Sequence, residues 1–148
     1  MDDTDKKIIE ALKNNSRATT PQISKSVHLS VPAVAERIRK LEDSGVLQHF
    51  TVKVNREKAG FKLLAYVFLS LEKTEHVEPF RKLVITFPQV LECHHVAGEF
   101  DYLLKVAVED TNALEDFLSH WLKKIKGVVK SNTIIALSTL KEDINRPF

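Results

Sequence analysis

The chain has 148 residues, of which 43% are hydrophobic and 28% are charged, and its formal net charge is +2. This composition is typical of a globular protein with one domain or two small ones, and it argues against a disordered chain. A single cysteine excludes an internal disulfide, and no uncharged apolar run approaches the roughly 18 residues of a membrane helix, so we expect a cytoplasmic protein without a membrane partner.

The first third of the chain carries three short amphipathic patterns. Residues 3–14, 20–27 and 31–44 place apolar side chains at helical spacing. We expect Thr20 to cap the second helix and Ser30 to cap the third. The inward stripe predicted for the third helix is Val31, Val34, Ala35, Ile38 and Leu41. Because each helix is too short to be stable alone, the three must pack around a shared core.

From residue 46 the apolar period changes to that of strands. The predicted strands are 46–54, 62–71, 90–97, 102–109 and 128–139, and the later helices are 75–87 and 111–126. The elements from residue 62 form βαβ twice, joined by a Gly-Glu-Phe-Asp turn, which is the ferredoxin-like order. We expect both helices to cover one face of a four-stranded antiparallel sheet. Its strands are apolar on both faces, so the open face predicts association with a second subunit.

These elements predict an α+β fold in three parts. Residues 1–46 form a winged-helix-like helix-turn-helix domain, residues 47–61 form a strand and a linker, and residues 62–148 form the βαββαβ domain.

The outer face of the third predicted helix suits a DNA major groove. This face carries Pro32, Ala33, Glu36, Lys40 and Asp43, with Arg37 and Arg39 on its flanks. Slim side chains can approach base edges while flanking cations reach phosphates. A short helix and a tight turn precede it, as in a helix-turn-helix. The alternative is a three-helix docking module with a solvated outer face, and the net charge of only +2 counts mildly against DNA binding.

The segment 94–104 joins the two βαβ units through Gly98. This glycine permits a close backbone approach to a ligand, although an ordinary hairpin turn is the alternative. His94 and His95 are adjacent on a predicted strand, so their side chains point to opposite faces and cannot chelate one ion. We find no nucleophile with a neighbouring base, and we predict neither an enzyme nor a metal site nor a cofactor.

The chain resembles the leucine-responsive/asparagine-type regulators, the Lrp/AsnC or feast/famine family. The resemblance lies in NNSRATTPQIS, in SVPAVAERIRKLEDSGVL, and further along in VAGEFDYLL and GVVKSNT. It spans nearly the whole chain in order. It implies a cytoplasmic, nucleoid-associated transcriptional regulator that binds double-stranded DNA. It also implies a homodimer that assembles into a larger ring, an octamer, and a C-terminal domain that senses an amino acid.

The resemblance also implies two sets of contact residues. The DNA-contact set is Thr20, Gln22, Ser30, Pro32, Ala33, Glu36, Arg37, Arg39 and Lys40. Arg37 has an alternative, which is to pair with an acid of its own domain. The effector-contact set is Gly98, Glu99, Phe100, Asp101, Ser131 and Thr133. Hydroxyls and amides would hold the effector carboxylate and Asp101 its ammonium. Ala97 and Ser131 depart from the threonines of many ligand-responsive members.

Two rival functions share this fold. One is an architectural protein that bends or wraps DNA without a ligand, for which the net charge of +2 is small. The other is a tetrapyrrole decarboxylase built on the same frame. The cationic flank of helix 31–44 argues against the enzyme, which would not need it.

Overall fold

The computed structural model describes residues 1–145, so the last three residues of the predicted 62–148 domain lie outside it. The chain forms two compact units, one of residues 1–53 together with the described residues from 141 onward, and one of residues 54–140. Within residues 1–145, every helix is too short or too polar to cross a membrane.

Three helices form the first unit: α1 (Asp3–Asn14), α2 (Thr20–Val27) and α3 (Val31–Asp43). Their predicted positions are confirmed to within one residue. At the start of α1, Asp2 accepts a bond from the Asp5 amide (2.8 Å) and the Asp5 carboxylate accepts one from the Asp2 amide (2.9 Å), which satisfies two free helix donors. The predicted cap of α2 is wrong: Thr19 is the N-cap and Thr20 the first helical residue.

A small apolar core holds the three helices together. Its buried members are Ile8, Ile9, Leu12, Ile23, Val34 and Leu41. The expectation that Val31 and Ala35 also face inward is wrong, because Val31 is 39% exposed and Ala35 is exposed. At 100° per residue these two lie beside the Val34 row rather than on it, and the core is too narrow to reach them.

The second unit contains a four-stranded sheet of β1 (Leu63–Leu71), β2 (Val90–His95), β3 (Tyr102–Val108) and β4 (Val128–Ile135). The strand order is β2-β3-β1-β4 and every neighbouring pair is antiparallel. Helices α4 (Val77–Val84) and α5 (Thr111–Asp116) connect the strands. A short 3₁₀ turn, Thr74–His76, leads into α4, and a π-helical segment, Phe117–Leu122, continues α5. The predicted α+β class is confirmed.

The predicted strand over 46–54 is wrong, because the segment forms no strand in the structure. A strand needs a neighbour to satisfy its backbone, and none of residues 1–145 pairs with this segment in a β-ladder. The predicted helices 75–87 and 111–126 and the strand 128–139 are also too long: their regular parts end at Val84, Leu122 and Ile135.

The two faces of the sheet differ in what covers them. Ala65, Val67 and Leu69 of β1 are fully buried on the side that packs against the helix residues Phe80 and Phe117. The other side carries Tyr66, Phe68, Leu103 and Ile134, which share that face by register. Tyr66, Phe68 and Leu103 are half-buried and Ile134 is 52% exposed. The centre of the open face is therefore apolar, as the sequence predicts, and charged residues such as Glu92 and Lys130 lie around it.

Candidate nucleic-acid interface and effector turn

A tight turn between α2 and α3 sets the position of α3. His28 ends α2 in the left-handed conformation, with a φ of 55°. The Leu29 amide donates to the Ser24 carbonyl (3.2 Å), and the Ser24 hydroxyl donates to the Leu29 carbonyl (2.8 Å). Ser30 then caps α3 by accepting a bond from the Ala33 amide (3.3 Å). The predicted cap is confirmed, and the connection has helix-turn-helix proportions.

The outer side of α3 presents small residues first and charged residues later. Pro32, Glu36 and Lys40 are exposed and Ala33 is half-buried. A shallow groove runs along this side, and its lining includes Ala33, Glu36, Arg37 and Lys40 of α3 and Asp5 of α1. The arrangement leaves the first turn of α3 slim enough to approach a base edge.

Arg37 ties α3 to α1. Its Nη1 donates to the carboxylates of Asp2 (2.8 Å) and Asp5 (2.6 Å). The pKa of the Asp2 carboxyl is lowered by the bond from the Asp5 amide and further by the Arg37 guanidinium. The structure therefore gives Arg37 the partners of its alternative role, a pairing with acids of its own domain.

Arg39 is held on the outer side of α3 by two acids of the same helix. Its Nε and Nη2 donate to the two carboxylate oxygens of Glu36 (3.0 and 2.8 Å), and its Nη1 donates to Asp43 (2.6 Å). These bonds from Arg39 lower the pKa of the Glu36 carboxyl, and Lys40 Nζ adds to the effect at 3.7 Å. Glu36 therefore stays charged, while Arg39 remains 60% exposed.

The start of α2 carries the other two predicted DNA-contact residues. Thr20 is half-buried and Gln22 is exposed. The Gln22 side-chain oxygen accepts bonds from the Thr19 amide (2.8 Å) and the Thr19 hydroxyl (3.1 Å). This pairing holds the Gln22 side chain against the helix start, where free backbone amides favour an anion.

The turn between β2 and β3 is anchored by Asp101. The Asp101 amide donates to the Leu69 carbonyl (2.8 Å), and its Oδ2 accepts from the Leu71 amide (2.8 Å). The Val96 amide donates to the Asp101 carbonyl (2.9 Å). Gly98 has a φ of 157°, and none of the described residues has an atom within 4 Å of where its Cβ would lie. The tip of the turn is therefore open while its base is tied to β1.

The tip of this turn meets β4 through Lys130. Its Nζ contacts the Glu99 carboxylate and lies 4.9 Å from the centroid of the Phe100 ring. The Phe100 ring packs against Phe68 on β1, with 5.6 Å between centroids. Glu99, Phe100 and Lys130 thus form one cluster on the open side of the sheet, since Lys130 pairs with Ser70 in that register.

Ser131 and Thr133 lie on the opposite side of β4 from Lys130. They pair with Leu69 and Val67, whose side chains face the helices. Ser131 lines a notch of about 370 Å³ beside α5, together with Leu118 and Lys123. The structure thus brings Glu99, Phe100 and Asp101 together, and separates the two hydroxyls from them by the thickness of the strand.

The adjacent histidines of β2 serve different neighbours. His94 Nε2 lies 3.1 Å from Glu92 on the open face, and His95 stacks on Tyr102 with 5.1 Å between ring centroids. The prediction that they point to opposite faces is confirmed by their register. Across residues 1–145, no group of three or more His, Cys, Asp or Glu side chains could hold a metal ion.

Sequence reasoning missed three participants in these sites, namely Asp2, Asp5 and Lys130. The acids that bind Arg37 lie at the very start of the chain, and their Asp-x-x-Asp spacing signals the helix cap but not the ion pair. Lys130 stands next to the predicted Ser131, but its partner Glu99 is 31 residues away, so local spacing could not reveal the pair.

Two family models match the chain. Residues 64–145 match the Lrp/AsnC ligand binding domain, and residues 1–48 match a winged helix-turn-helix DNA-binding domain.

Full-length relatives show the same similarity. The chain is 33% identical over 147 residues to the HTH-type transcriptional regulator FL11 of Pyrococcus furiosus, covering 99% of this chain and 96% of the relative. It is 32% identical over 144 residues to the leucine-responsive regulatory protein of Klebsiella pneumoniae, covering 96% and 88%. Among solved structures, a transcriptional regulator from Neisseria meningitidis in complex with L-Met superposes with a TM-score of 0.93. That protein is 30% identical, with 99% of this chain and 96% of that chain covered.

Proposed function

The chain belongs to the Lrp/AsnC family of helix-turn-helix transcriptional regulators, and from this membership we propose a function for each part of the chain. Residues 1–46 bind double-stranded DNA with α3 in the major groove. Residues 47–61 connect them to residues 62–148, which assemble the protein and sense a free amino acid. The observation that carries the DNA-binding half is α3 itself, whose slim, exposed first turn is followed by the exposed cations Arg39 and Lys40.

The proposed DNA contacts are those that the family resemblance implies, apart from Arg37. They are Thr20 and Gln22 on α2 and Ser30, Pro32, Ala33, Glu36, Arg39 and Lys40 on or just before α3. The amides at the two helix starts favour phosphate, and the α3 cations reach phosphates on either side of the groove. We place Arg37 outside this set, because both of its hydrogen bonds go to acids near the start of α1.

The proposed effector is an amino acid bound at the turn of residues 98–101. The matching domain is a ligand-binding domain, and the Neisseria meningitidis relative was solved with L-Met. The open tip at Gly98 leaves room for an approaching ligand, and Asp101 is a fixed carboxylate that can accept from an ammonium. We retain Glu99, Phe100, Ser131 and Thr133 in the proposed set and add Lys130, which contacts the turn directly.

We further propose a homodimer formed through the open sheet face, with dimers assembling into an octamer. An apolar patch of this kind at the surface marks a site of association with another protein. Residence in the cytoplasm with the nucleoid belongs to the same proposal. Catalysis is not part of the proposal, because His94 and His95 contact different neighbours on opposite faces of the sheet.

Calorimetry tests the sensing half of the proposal. Titration of the full chain with a panel of proteinogenic amino acids should give heat with at least one of them. The variant Glu99→Gln, which keeps the shape and removes the charge at the turn, should weaken that binding, and Glu109→Gln, exposed just after β3, should not. Heat from none of the amino acids, with DNA binding intact, would favour the architectural alternative.

A further inference from the structure

The exposed side of the first turns of α3 carries almost no hydrogen-bonding side chain. Val31, Pro32 and Ala35 are exposed but apolar, and Val34 is fully buried. Ser30, whose hydroxyl accepts the capping bond, lies before the first residue of α3. Glu36 is therefore the first side chain along α3 that could read a base edge by hydrogen bonding.

Glu36 is also held in one orientation. Arg39, one turn further along the helix, donates a bidentate pair of hydrogen bonds to both carboxylate oxygens of Glu36, at 3.0 and 2.8 Å. A carboxylate paired in this way loses less side-chain freedom when it docks, and its charge is partly offset as it nears the phosphates.

A carboxylate only accepts hydrogen bonds, which restricts the bases it can read. In the major groove guanine presents acceptors, thymine an acceptor and a methyl group, and adenine a donor beside an acceptor. Cytosine presents a donor, the N4 amino group, and so matches a carboxylate best.

We propose that Glu36 reads a cytosine by accepting a hydrogen bond from its N4 amino group, once in each of the two half-sites that a dimer would bind. Arg39 is the positioning residue for Glu36. The inference rests on the proposed docking of α3 in the major groove. The exposed apolar side chains of Val31 and Pro32 then suit thymine methyl groups next to that cytosine. Arg39 keeps Nε and Nη2 on Glu36, while Nη1 can exchange Asp43 for a phosphate.

Selection from a random pool of duplex DNA tests the proposal. The full-length wild type is compared with Glu36→Gln and with Glu42→Gln. Glu42 is exposed on the same helix but about 120° away around its axis, so its variant removes the same charge from another side. Both variants should bind random DNA at least as tightly as the wild type, because each loses one negative charge that opposes the approach of phosphates.

The base preference separates the two variants. The wild type and Glu42→Gln should enrich a cytosine at one position of each half-site. Glu36→Gln should lose that preference by on the order of tenfold and gain adenine there, because an amide matches adenine. Arg39→Lys keeps the charge but not the bidentate pair of hydrogen bonds, so it should weaken the cytosine preference more than it weakens binding to random DNA.

Each remaining outcome counts against a distinct claim. Enrichment of no sequence by the wild type would overturn the proposed DNA recognition, and the inference with it. A wild-type site whose bases are unchanged in Glu36→Gln would overturn the inference alone.

Discussion

Arg37 and Arg39 lie two residues apart on α3, but their ion-pair partners indicate different roles. Arg37 donates to Asp2 and Asp5 near the start of α1, with its side chain 33% exposed, so it joins two helices. Among residues 1–145, Arg39 donates to acids of its own helix alone, and it is 60% exposed, so its charge remains available at the surface. A phosphate can reach Arg39 without breaking a contact between helices.

Arg39→Ala should weaken binding to all DNA sequences and flatten the salt dependence. The slope of log affinity against log salt should fall by roughly 0.9 per protomer, the value of one phosphate contact on duplex DNA. Fluorescence anisotropy across a salt series measures this slope. Lys82→Ala removes another exposed cation, on α4, and serves as the control, since it should leave the slope unchanged. An unaltered slope in Arg39→Ala would remove Arg39 from the interface.

Gly127 is required where β4 begins. Its φ is +92°, and a Cβ there would lie 2.4 Å from the ring of the buried His76 and 2.5 Å from its Cβ. The Gly127 carbonyl also accepts from the Glu72 amide (2.8 Å), which fixes the close approach of the two segments. Neither backbone conformation nor space allows a side chain here.

Gly127→Ala should therefore lower the free energy of unfolding by about 2 kcal/mol or more. Gly60→Ala is the matched control: its φ is +102°, but none of the described atoms lies within 4 Å of the added Cβ. It should show only the conformational cost, about 1 kcal/mol. Urea denaturation of both variants measures the difference. An equal decrease in the free energy of unfolding for both variants would mean that the His76 ring moves aside without destabilising the fold.

At the scale of elements, α3 serves a core and a surface at once. Val34 is fully buried in the core of the first unit, whereas Val31, one turn earlier, is 39% exposed. The helix period separates the two roles because residues three apart on α3 still differ in direction by about 60°. Packing fixes one side of the helix and leaves the other free for recognition.

Val34→Ala should destabilise the first unit by about 2 kcal/mol, from lost burial and the cavity left behind. Val31→Ala makes the same chemical change on the exposed side and should cost less than about 0.5 kcal/mol. Thermal unfolding followed by circular dichroism compares them. A similar loss in both would contradict the assignment of α3 faces.

Sequence patterns predicted the elements whose partners lie nearby or whose period is strong. The three helices, the βαββαβ order and the Ser30 cap could be read from spacing. The residues 46–54 could not, because an alternating pattern favours a strand but does not supply a partner for its backbone. The Glu99–Lys130 pair and the identity of the acids that bind Arg37 could not be predicted either, because tertiary packing alone brings such distant residues together.

In the whole molecule, each of the two units has its own apolar core. The open sheet face lies in the second unit. Tyr66, Phe68, Leu103 and Ile134 share this face. A dimer through this face would supply two copies of α3, which a single chain cannot. The proposed recognition of paired half-sites therefore depends on a surface outside the DNA-binding unit.

Ile134→Asp should break the dimer, because it places a charge in a face that the partner would desolvate. Ile134 is 52% exposed in the single chain, so the variant should still fold. Leu83→Asp on α4, 43% exposed on the helix side of the unit, is the control and should keep the assembly of the wild type. Light scattering coupled to size-exclusion chromatography reports the mass. A wild-type mass in Ile134→Asp would place the dimer interface elsewhere.

A hydroxyl-radical footprint of the full-length protein on its selected DNA tests the central claim most directly. A dimer that sets two α3 helices in successive major grooves predicts two protected half-sites of pseudo-palindromic sequence. Their centres should lie about 10 base pairs apart, one helical turn. Protection of one isolated half-site, or uniform protection independent of sequence, would contradict the account.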